Sequence, residues 1–257
     1  MSNGRVFVKE AVEAMSDALR TEPRNAFPRV FTGLEALDRA IGGFPAGSVI
    51  AVAGSPGSGH EIFVRQILFN AAKAGNRVTY LTVDRAPEDV IWEMNDAQMD
   101  VEQLVADQKW GFMDGYEVRL KVKKGELGVK VLLDMLGAVA RSAKAGDWTC
   151  VDTLSKMLEY NGHSEVTSFL DDITQQAREG RGLHFITLVE DFHDKKTLST
   201  IAQACDGYIR MALDEARAEP LGTLRIEKLR LANSVQRTMN YSLTPNGVSI
   251  ETATRIL

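Results

Sequence analysis

Cysteine is scarce in this sequence, which has only two among its 257 residues, Cys150 and Cys205. Two cysteines so far apart cannot form the disulfide framework of a small secreted domain. Cys150 lies in an apolar stretch, and we interpret it as a small buried hydrophobe in a reducing compartment. His163, His184 and His193 show no metal-ligand spacing with the cysteines, so we predict no metal site.

Long apolar runs are also absent, since no stretch approaches the roughly 20 residues that a membrane-spanning helix needs. The chain opens with an amphipathic rather than a continuously apolar segment, which predicts no secretory signal. We therefore expect a cytoplasmic protein that does not insert into membranes.

A basic excess is lacking as well, because the formal net charge is −5 at pH 7. This balance argues against a protein whose whole surface binds nucleic acid. A local exception is the run of alternating basic and apolar residues 119–124, RLKVKK. Such a run can contact an acidic partner or nucleic acid, but we interpret it as a solvated edge strand that is protected by its own charge.

What the sequence does contain is an alternation of strand and helix patterns. Apolar strand-like runs, such as residues 48–53 and 183–189, are separated by stretches with helical spacing. This alternation predicts an α/β fold with a mainly parallel β-sheet flanked by helices, and the short strands of the last fifth predict an antiparallel C-terminal extension. Residues 1–30 are predicted to form an N-terminal helix and linker, and residues 31–257 a single domain.

The most informative stretch is a glycine-rich turn between the first of these strands and a helix. Its spacing fits the frame of the phosphate-binding motif G-x-x-x-x-G-K-[ST]. The motif's lysine reaches the terminal phosphates and its hydroxyl holds Mg²⁺, but His60 and Glu61 stand at those two positions here. The candidate nucleotide-binding turn, which we regard as vestigial, comprises Gly54, Ser55, Pro56, Gly57, Ser58, Gly59, His60 and Glu61.

The chemistry left to this turn is limited. Its backbone can still offer N–H donors to an anion. Histidine is only partly charged near neutral pH, and a glutamate in the first helical turn itself satisfies the positive end of the helix dipole. Two unit charges about 4 Å apart interact by on the order of 4 kcal/mol at an effective dielectric of about 20. Having His60 in place of the lysine and Glu61 in place of the hydroxyl residue therefore weakens triphosphate binding. We expect no bound cofactor, with ATP and Mg²⁺ as the alternative.

Four further segments carry motifs in a fixed order. Thr32–Asp38, followed by Gly42-Gly43, leads into the glycine turn with the pattern T-G-x-x-x-L-D…GG. Val83–Glu88 reads V-D-R-A-P-E at the end of one strand, Val151–Ser155 reads V-D-T-L-S at the end of another, and Leu224–Arg230 is a late strand that ends in K-L-R. In this order they resemble the KaiC-like branch of the RecA superfamily, which has the same lead-in, a strand end F-E-E-x-P-x, a Walker B ending I-D-S-L-S, and a late strand whose K-x-R reaches the nucleotide of a neighbouring subunit. The chain layout also looks like that of single-domain archaeal members, including the ATPase subunit associated with the archaellum motor.

The resemblance implies a RecA-like P-loop NTPase fold and a Walker B-like role for Asp152, although a carboxylate there can also cap the following turn. The family's catalytic glutamate comes second in an acidic pair, and this chain has Asp84 followed by Arg85. Because arginine cannot accept a proton at ordinary pH, we predict no catalytic residue. Lys228 and Arg230 match the trans-subunit pair, but alternating charges on an exposed strand explain them equally well.

Three functions are consistent with these features. The first is a non-catalytic KaiC/RecA-like protein, a pseudo-ATPase that acts as a regulator or scaffold through a protein partner or self-association, from dimer to hexamer. The second is an active ATPase with unusual residues; apart from these functions, His60 and Arg85 can form a new anion site above the glycine turn. The third is a DNA-repair accessory factor like the recombinase paralogues, which the acidic balance and the lack of an aromatic stacking platform disfavour.

Overall fold

The computed structural model describes residues 27–214, 221–231 and 237–251. The predicted N-terminal helix, at residues 6–20, lies outside these described residues. The strands are β1 (Arg29–Val30), β2 (Phe44–Pro45), β3 (Ser48–Gly54), β4 (Val78–Thr82), β5 (Trp110–Asp114), β6 (Trp148–Asp152), β7 (Leu183–Val189), β8 (Gly207–Asp214), β9 (Leu221–Leu229), β10 (Arg237–Thr244) and β11 (Gly247–Ile250).

Helices connect most of these strands. They are α1 (Glu35–Ile41), α2 (His60–Lys73), α3 (Pro87–Asp96), α4 (Val101–Ala106), α5 (Gly115–Lys123), α6 (Lys130–Ala145), α7 (Leu154–Leu158), α8 (His163–Gly180) and α9 (Lys195–Ala204). A short 3₁₀ helix follows β7 at Glu190–Phe192. Among the described residues, none of the helices combines the length and apolar character that crossing a bilayer requires.

A nine-stranded sheet organises the fold, in the order β11-β10-β9-β8-β3-β7-β6-β4-β5. Strands β8, β3, β7, β6, β4 and β5 pair in parallel. Strands β9, β10 and β11 continue the sheet through antiparallel pairs. The structure therefore confirms the predicted parallel sheet and its antiparallel C-terminal extension.

Helices cover both faces of this sheet because its central strands are apolar. Every residue of β3 and of β7 is buried. On one face the core includes Phe63 and Ile67 of α2, and on the other it includes Leu136 of α6 and Phe169 of α8. Each such side chain contributes about 1.5–3 kcal/mol when fully buried. Because β3, β4, β6 and β7 run parallel, their carboxyl ends meet at one edge of the sheet. Ligands of α/β folds bind at this edge.

The basic run 119–124 lies mostly in a helix, so the predicted edge strand was wrong. Strand β5 ends at Asp114, whose carboxylate accepts a hydrogen bond from the backbone N–H of Glu117 at 2.8 Å and caps α5. One turn later, Lys121 forms an ion pair with Glu117 at 2.7 Å. The cap and the (i, i+4) pair favour a helix and outweigh the alternating pattern.

Candidate functional site

A cavity of about 590 Å³ opens at the carboxyl edge of the parallel strands. Its floor is the glycine-rich turn after β3 and the start of α2, and its walls come from α3, the end of β7 and the β10–β11 hairpin. The sequence-predicted residues His60, Glu61, Asp84 and Arg85 all line it. Asp152 is not one of the lining residues, but its carboxylate accepts a hydrogen bond from Arg65, which does line the cavity.

The turn has the backbone of an anion-binding loop. Gly57 and Gly59 take the left-handed conformation, with φ of 81° and 77°, which costs glycine little. Gly54 has no room for a side chain, because a Cβ there would collide with the hydroxyl of Ser58. The 14-residue helix α2 then begins at His60. The sequence therefore predicts the turn and its junction with the helix correctly.

The β10–β11 hairpin packs on this turn, a contact that the sequence analysis did not anticipate. The hydroxyl of Tyr241 donates a hydrogen bond to the backbone carbonyl of Ser58. Leu243 packs so closely on Gly59 that a Cβ at that position would clash with it. The backbone N–H of Val248 donates to the side-chain carbonyl of Gln66 at 2.9 Å. The C-terminal extension thus fixes the shape of the cavity floor.

His60 brings no positive charge to the turn. Its side chain is only 3% exposed, and burial lowers its pKa from 6.5 to about 4, with Asp152 opposing the shift and Arg65 and Arg85 adding to it. The imidazole is therefore neutral at pH 7. Its Nδ1 lies 2.9 Å from Oγ of Ser58, whereas its buried Nε2 has no hydrogen-bond partner within the described part of the chain.

The buried cation of the site is Arg65, a residue of α2 that the sequence analysis missed. Its side chain is 1% exposed and donates to the Tyr80 hydroxyl at 2.9 Å, to Glu93 at 2.6 Å and to Oδ2 of Asp152 at 2.9 Å. Asp152 accepts two more hydrogen bonds, from the Tyr80 hydroxyl and, at 2.7 Å on Oδ1, from Thr187. Both carboxylate oxygens of Asp152 are consequently engaged by protein groups.

The state of Asp152 follows from these contacts. Burial alone would raise the pKa of this carboxyl, but the Arg65 guanidinium, together with hydrogen bonds from Tyr80, Arg65 and Thr187, holds it below its usual value. Asp152 is therefore an anion whose charge is compensated within the protein. A divalent cation would have to displace Arg65 to reach it, so the residues present do not fit a Mg²⁺ site. Within residues 27–214, 221–231 and 237–251, no group of three or more His, Cys, Asp or Glu residues is arranged to hold a metal ion.

Arg85 completes a charge network made of Glu61, Arg65, Arg85, Glu93 and Asp152. It forms ion pairs with Glu93 and, at 3.3 Å, with Glu61. This pairing argues against the anion site of His60 and Arg85 that the sequence allowed. The network holds two guanidiniums and three carboxylates, so it has one negative charge in excess when every group is ionised. Burial, followed by repulsion from Asp152, raises the pKa of Glu61 from 4.5 to about 7, although both arginines oppose the shift.

We predict that Glu61→Gln stabilises the protein more at pH 8 than at pH 5. Because the folded-state pKa of Glu61, about 7, exceeds its unfolded value of 4.5, the folded chain binds the proton more tightly. Its free energy of unfolding therefore falls as pH rises through this window, whereas glutamine escapes the fall. The stability difference between variant and unaltered chain should grow by about 2–3 kcal/mol, since each pKa unit is worth about 1.4 kcal/mol. Urea unfolding at both pH values measures it.

Glu102→Gln, on the exposed surface of α4, removes a carboxyl group that lies outside the charge network and is the matched control. If the stability difference for Glu61→Gln is the same at pH 5 and pH 8, Glu61 is not the group that carries the excess charge.

The two residues proposed to act in trans are engaged within the chain. Arg230 forms an ion pair with Asp206 at 2.6 Å and lies over the ring of Phe27. The ammonium of Lys228 caps the end of α9, where it donates to the carbonyls of Ala202 at 2.9 Å, Gln203 at 2.8 Å and Cys205 at 2.6 Å. A role of Lys228 and Arg230 towards a neighbouring subunit stays a prediction.

Comparison with known proteins places these features in a family context. A family model described as "ATPase: KaiC" matches residues 30–255. A UPF0273 protein of Aeropyrum pernix is 24% identical over 234 residues, which cover 86% of this chain and 93% of that protein. The archaeal flagellar ATP-binding protein FlaH of Sulfolobus acidocaldarius is 22% identical over 226 residues, which cover 84% of this chain and 93% of that protein.

Solved structures show the same fold. A KaiC-like protein of Pyrococcus horikoshii superposes with a TM-score of 0.69 at 20% identity, covering 88% of this chain and 99% of that chain. The flagellar accessory protein FlaH of Methanocaldococcus jannaschii gives a TM-score of 0.71 at 17% identity, with the same coverage of 88% and 99%.

Proposed function

The chain is a member of the KaiC ATPase family, and from this premise we propose that it is a non-catalytic member that acts by binding other proteins. In this proposal the protein keeps the family fold and the glycine turn but not the groups that bind and hydrolyse ATP. It works as a regulator or scaffold, alone or in association with further copies of itself.

This proposal rests on Asp152, because neighbouring protein groups already compensate the negative charge of its carboxylate. In the family pattern the carboxylate at the end of this strand belongs to the nucleotide-binding site, and here its two oxygens already accept hydrogen bonds from Arg65, Tyr80 and Thr187. Removing Arg65 from Asp152 to admit a metal ion would leave a buried guanidinium with fewer acceptors. Such uncompensated burial of a charge is costly. In this proposal, protein groups rather than Mg²⁺ compensate the charge of Asp152.

The electrostatics of the cavity support the same conclusion. His60 is neutral at pH 7, and the charge network has more carboxylates than guanidiniums. Once Glu61 is ionised, above its pKa of about 7, a nucleoside triphosphate would bring several negative charges towards this surplus. A pair of like charges about 4 Å apart costs on the order of 4 kcal/mol at an effective dielectric of about 20. The N–H donors of the turn must overcome this repulsion without a lysine.

We expect the protein to neither bind nor hydrolyse ATP at millimolar concentration. Isothermal titration with Mg-ATP and Mg-ADP measures binding, and phosphate release measures turnover. The Sulfolobus acidocaldarius relative, which is named an ATP-binding protein, is the positive control in the same buffer. The competing function, an ATP-binding KaiC-like protein, is favoured by that relative and by the shape of the glycine turn. Saturable Mg-ATP binding with turnover would establish it and end our proposal.

A DNA-repair accessory role has less support. The basic run 119–124 would have to present its charges to a phosphate backbone. Lys121 instead pairs with Glu117, and Arg119 donates to the carbonyl of Val83 at 2.9 Å and lies over the ring of Tyr116. We therefore do not propose nucleic acid as a partner.

A further inference from the structure

The nine-stranded sheet ends at β5, and one edge of this strand is unpaired. In the described part of the chain, β5 pairs with β4 alone. The main-chain N–H of Val78 donates to the carbonyl of Lys109 at 2.8 Å. Because a parallel strand bonds to a given neighbour through every second residue, Lys109 and Gly111 face β4. The main-chain groups of Trp110 and Phe112 consequently point away from the sheet.

The sequence of this edge does not block pairing with another strand. Natural proteins protect exposed edges with lysine, proline, bulges or a covering segment. Residues 110–114, WGFMD, contain neither lysine nor proline, and their register with β4 is continuous, without a bulge. At the opposite edge of the sheet, α1 flanks β11, and Glu35 and Arg39 line the cavity between them. Of the two edges, β5 is therefore the one that suits an additional strand.

Space for a facing side chain exists beside Gly111. This glycine is exposed and lies within the extended strand. A Cβ built on it would meet, beyond its chain neighbours, a single atom within 4 Å, the carbonyl oxygen of Val78 at 3.9 Å. Phe112 and Met113 are half-buried, on opposite faces of the sheet. A strand that pairs with β5 would thus meet an open position at Gly111 and apolar side chains at the next two residues.

A second copy of β5 fits this edge residue for residue. In an antiparallel pair, main-chain hydrogen bonds form where outward-facing residues stand opposite each other. The register that pairs the whole strand places Phe112 opposite Phe112 of the second copy and Trp110 opposite Asp114. The same register places Met113 of each copy opposite Gly111 of the other, so that a long side chain meets the open position. The facing aromatic rings at Phe112 add cross-strand packing.

We propose that two copies of this chain associate through antiparallel pairing of their β5 strands, with the two-fold axis at Phe112. The two sheets then continue into each other, and the interface is isologous, because both copies use the same surface. The inference rests on the proposed function, in which the protein associates with further copies of itself. Since a five-residue edge buries little surface, the dimer is weak and forms as the chain concentration rises.

Light scattering on a size-exclusion column, without nucleotide, measures this association. We expect the unaltered chain to shift from the monomer mass to twice that mass as its concentration is raised through the micromolar range. Gly111→Lys adds the residue that protects natural edges, and the open space at this position admits it in the monomer. Like charges on paired strands repel, so this variant should associate about tenfold more weakly or less.

Gly128→Lys is the matched control. It makes the same charge change at another exposed glycine, in the loop between α5 and α6, where a Cβ would meet nothing within 4 Å. Because Gly128 lies outside the β5 edge, this variant should associate as the unaltered chain does. A dimer that Gly111→Lys leaves intact, or that both variants weaken equally, would overturn the proposal.

A cysteine at the two-fold axis tests the register. Opposite residues of a hydrogen-bonded antiparallel pair have Cα atoms about 5.5 Å apart, a separation that a disulfide spans. Cys150 and Cys205 are both buried, so oxidation of the Phe112→Cys variant should link two copies through the new position alone. Gly128→Cys should stay uncross-linked under the same conditions. Failure of Phe112→Cys to cross-link would overturn the proposed pairing.

Addition of Mg-ATP separates this proposal from the proposed function. Association that requires Mg-ATP would overturn both. A chain that stays monomeric at every concentration, with and without Mg-ATP, would overturn the β5 pairing alone and leave this edge to a strand of a different protein.

Discussion

Replacing Arg65 with methionine should lower the free energy of unfolding by about 3–5 kcal/mol, the range found when one partner of a buried ion pair is removed. The substitution keeps the apolar stem but removes the donors that reach Tyr80, Glu93 and Asp152. Asp152, which is 4% exposed, would then be a buried anion without its main cation. Urea unfolding followed by circular dichroism measures the change.

A double-mutant cycle tests whether this cost belongs to the pair. Asp152→Asn should also destabilise the fold, because Arg65 then loses an ionised acceptor. The double variant Arg65→Met/Asp152→Asn should lose clearly less than the two single losses added together, since neither charge is left alone. Arg39→Met is the control, because Arg39 is 67% exposed in its pair with Glu35 and should contribute at most about 1 kcal/mol. Strictly additive losses would mean that Arg65 and Asp152 do not act as a pair.

The fold could be predicted from sequence because its strands and helices carry strong periodic patterns. The apolar runs of β3 and β7 are buried on both faces, so each is continuous in the sequence. The glycine turn and Asp152 at the end of β6 were recognisable for a similar reason, since each depends on residues close together in the chain. The alternation of strands and helices predicted that the sheet is mainly parallel, but it did not predict which strands pair.

Arg65 could not be recognised in the same way, because its partners come from three other elements. Tyr80 lies on β4, Glu93 on α3 and Asp152 on β6, and only the folded sheet brings them together. A weak signal did exist. Arg65 shares a helical face with Leu68 and Ala72, at spacings of three and seven residues, and both are buried. A charged residue within an apolar stripe indicates a buried partner.

Helix α5 was missed although its signal was local. Asp114 and Glu117 have the spacing of a helix N-terminus, in which the first side chain caps the backbone N–H of the second. The alternating basic and apolar residues 119–124 suggested a strand when considered alone. The helix-capping pattern of Asp114 and Glu117, a few residues earlier, indicates a helix instead. The Tyr241 contact with Ser58 is different, since nothing near Tyr241 in the sequence indicates that its hydroxyl reaches the turn.

Restoring the motif residues alone should not restore nucleotide binding. In His60→Lys/Glu61→Thr, lysine and hydroxyl return to the start of α2, but Arg65 still holds Asp152 at 2.9 Å. We expect Mg-ATP binding by this variant to stay near the limit of detection. Adding Arg65→Met frees Asp152, and the new lysine supplies a replacement cation at the turn. The triple variant should bind Mg-ATP at least tenfold more tightly than the double variant, as measured by isothermal titration.

Hydrolysis should remain absent even in the triple variant. Arg85 stands where the resemblance places the catalytic glutamate, and a guanidinium cannot accept a proton from an attacking water. Binding and turnover therefore separate, so that titration gives a Kd while phosphate release stays at background. If the double variant already binds as tightly as the triple variant, the Arg65–Asp152 pair is not the obstacle, and His60 and Glu61 alone account for weak nucleotide binding. If the triple variant turns over rapidly, another group supplies the base, and Asp84, beside Arg85 on the cavity wall, is the first residue to replace.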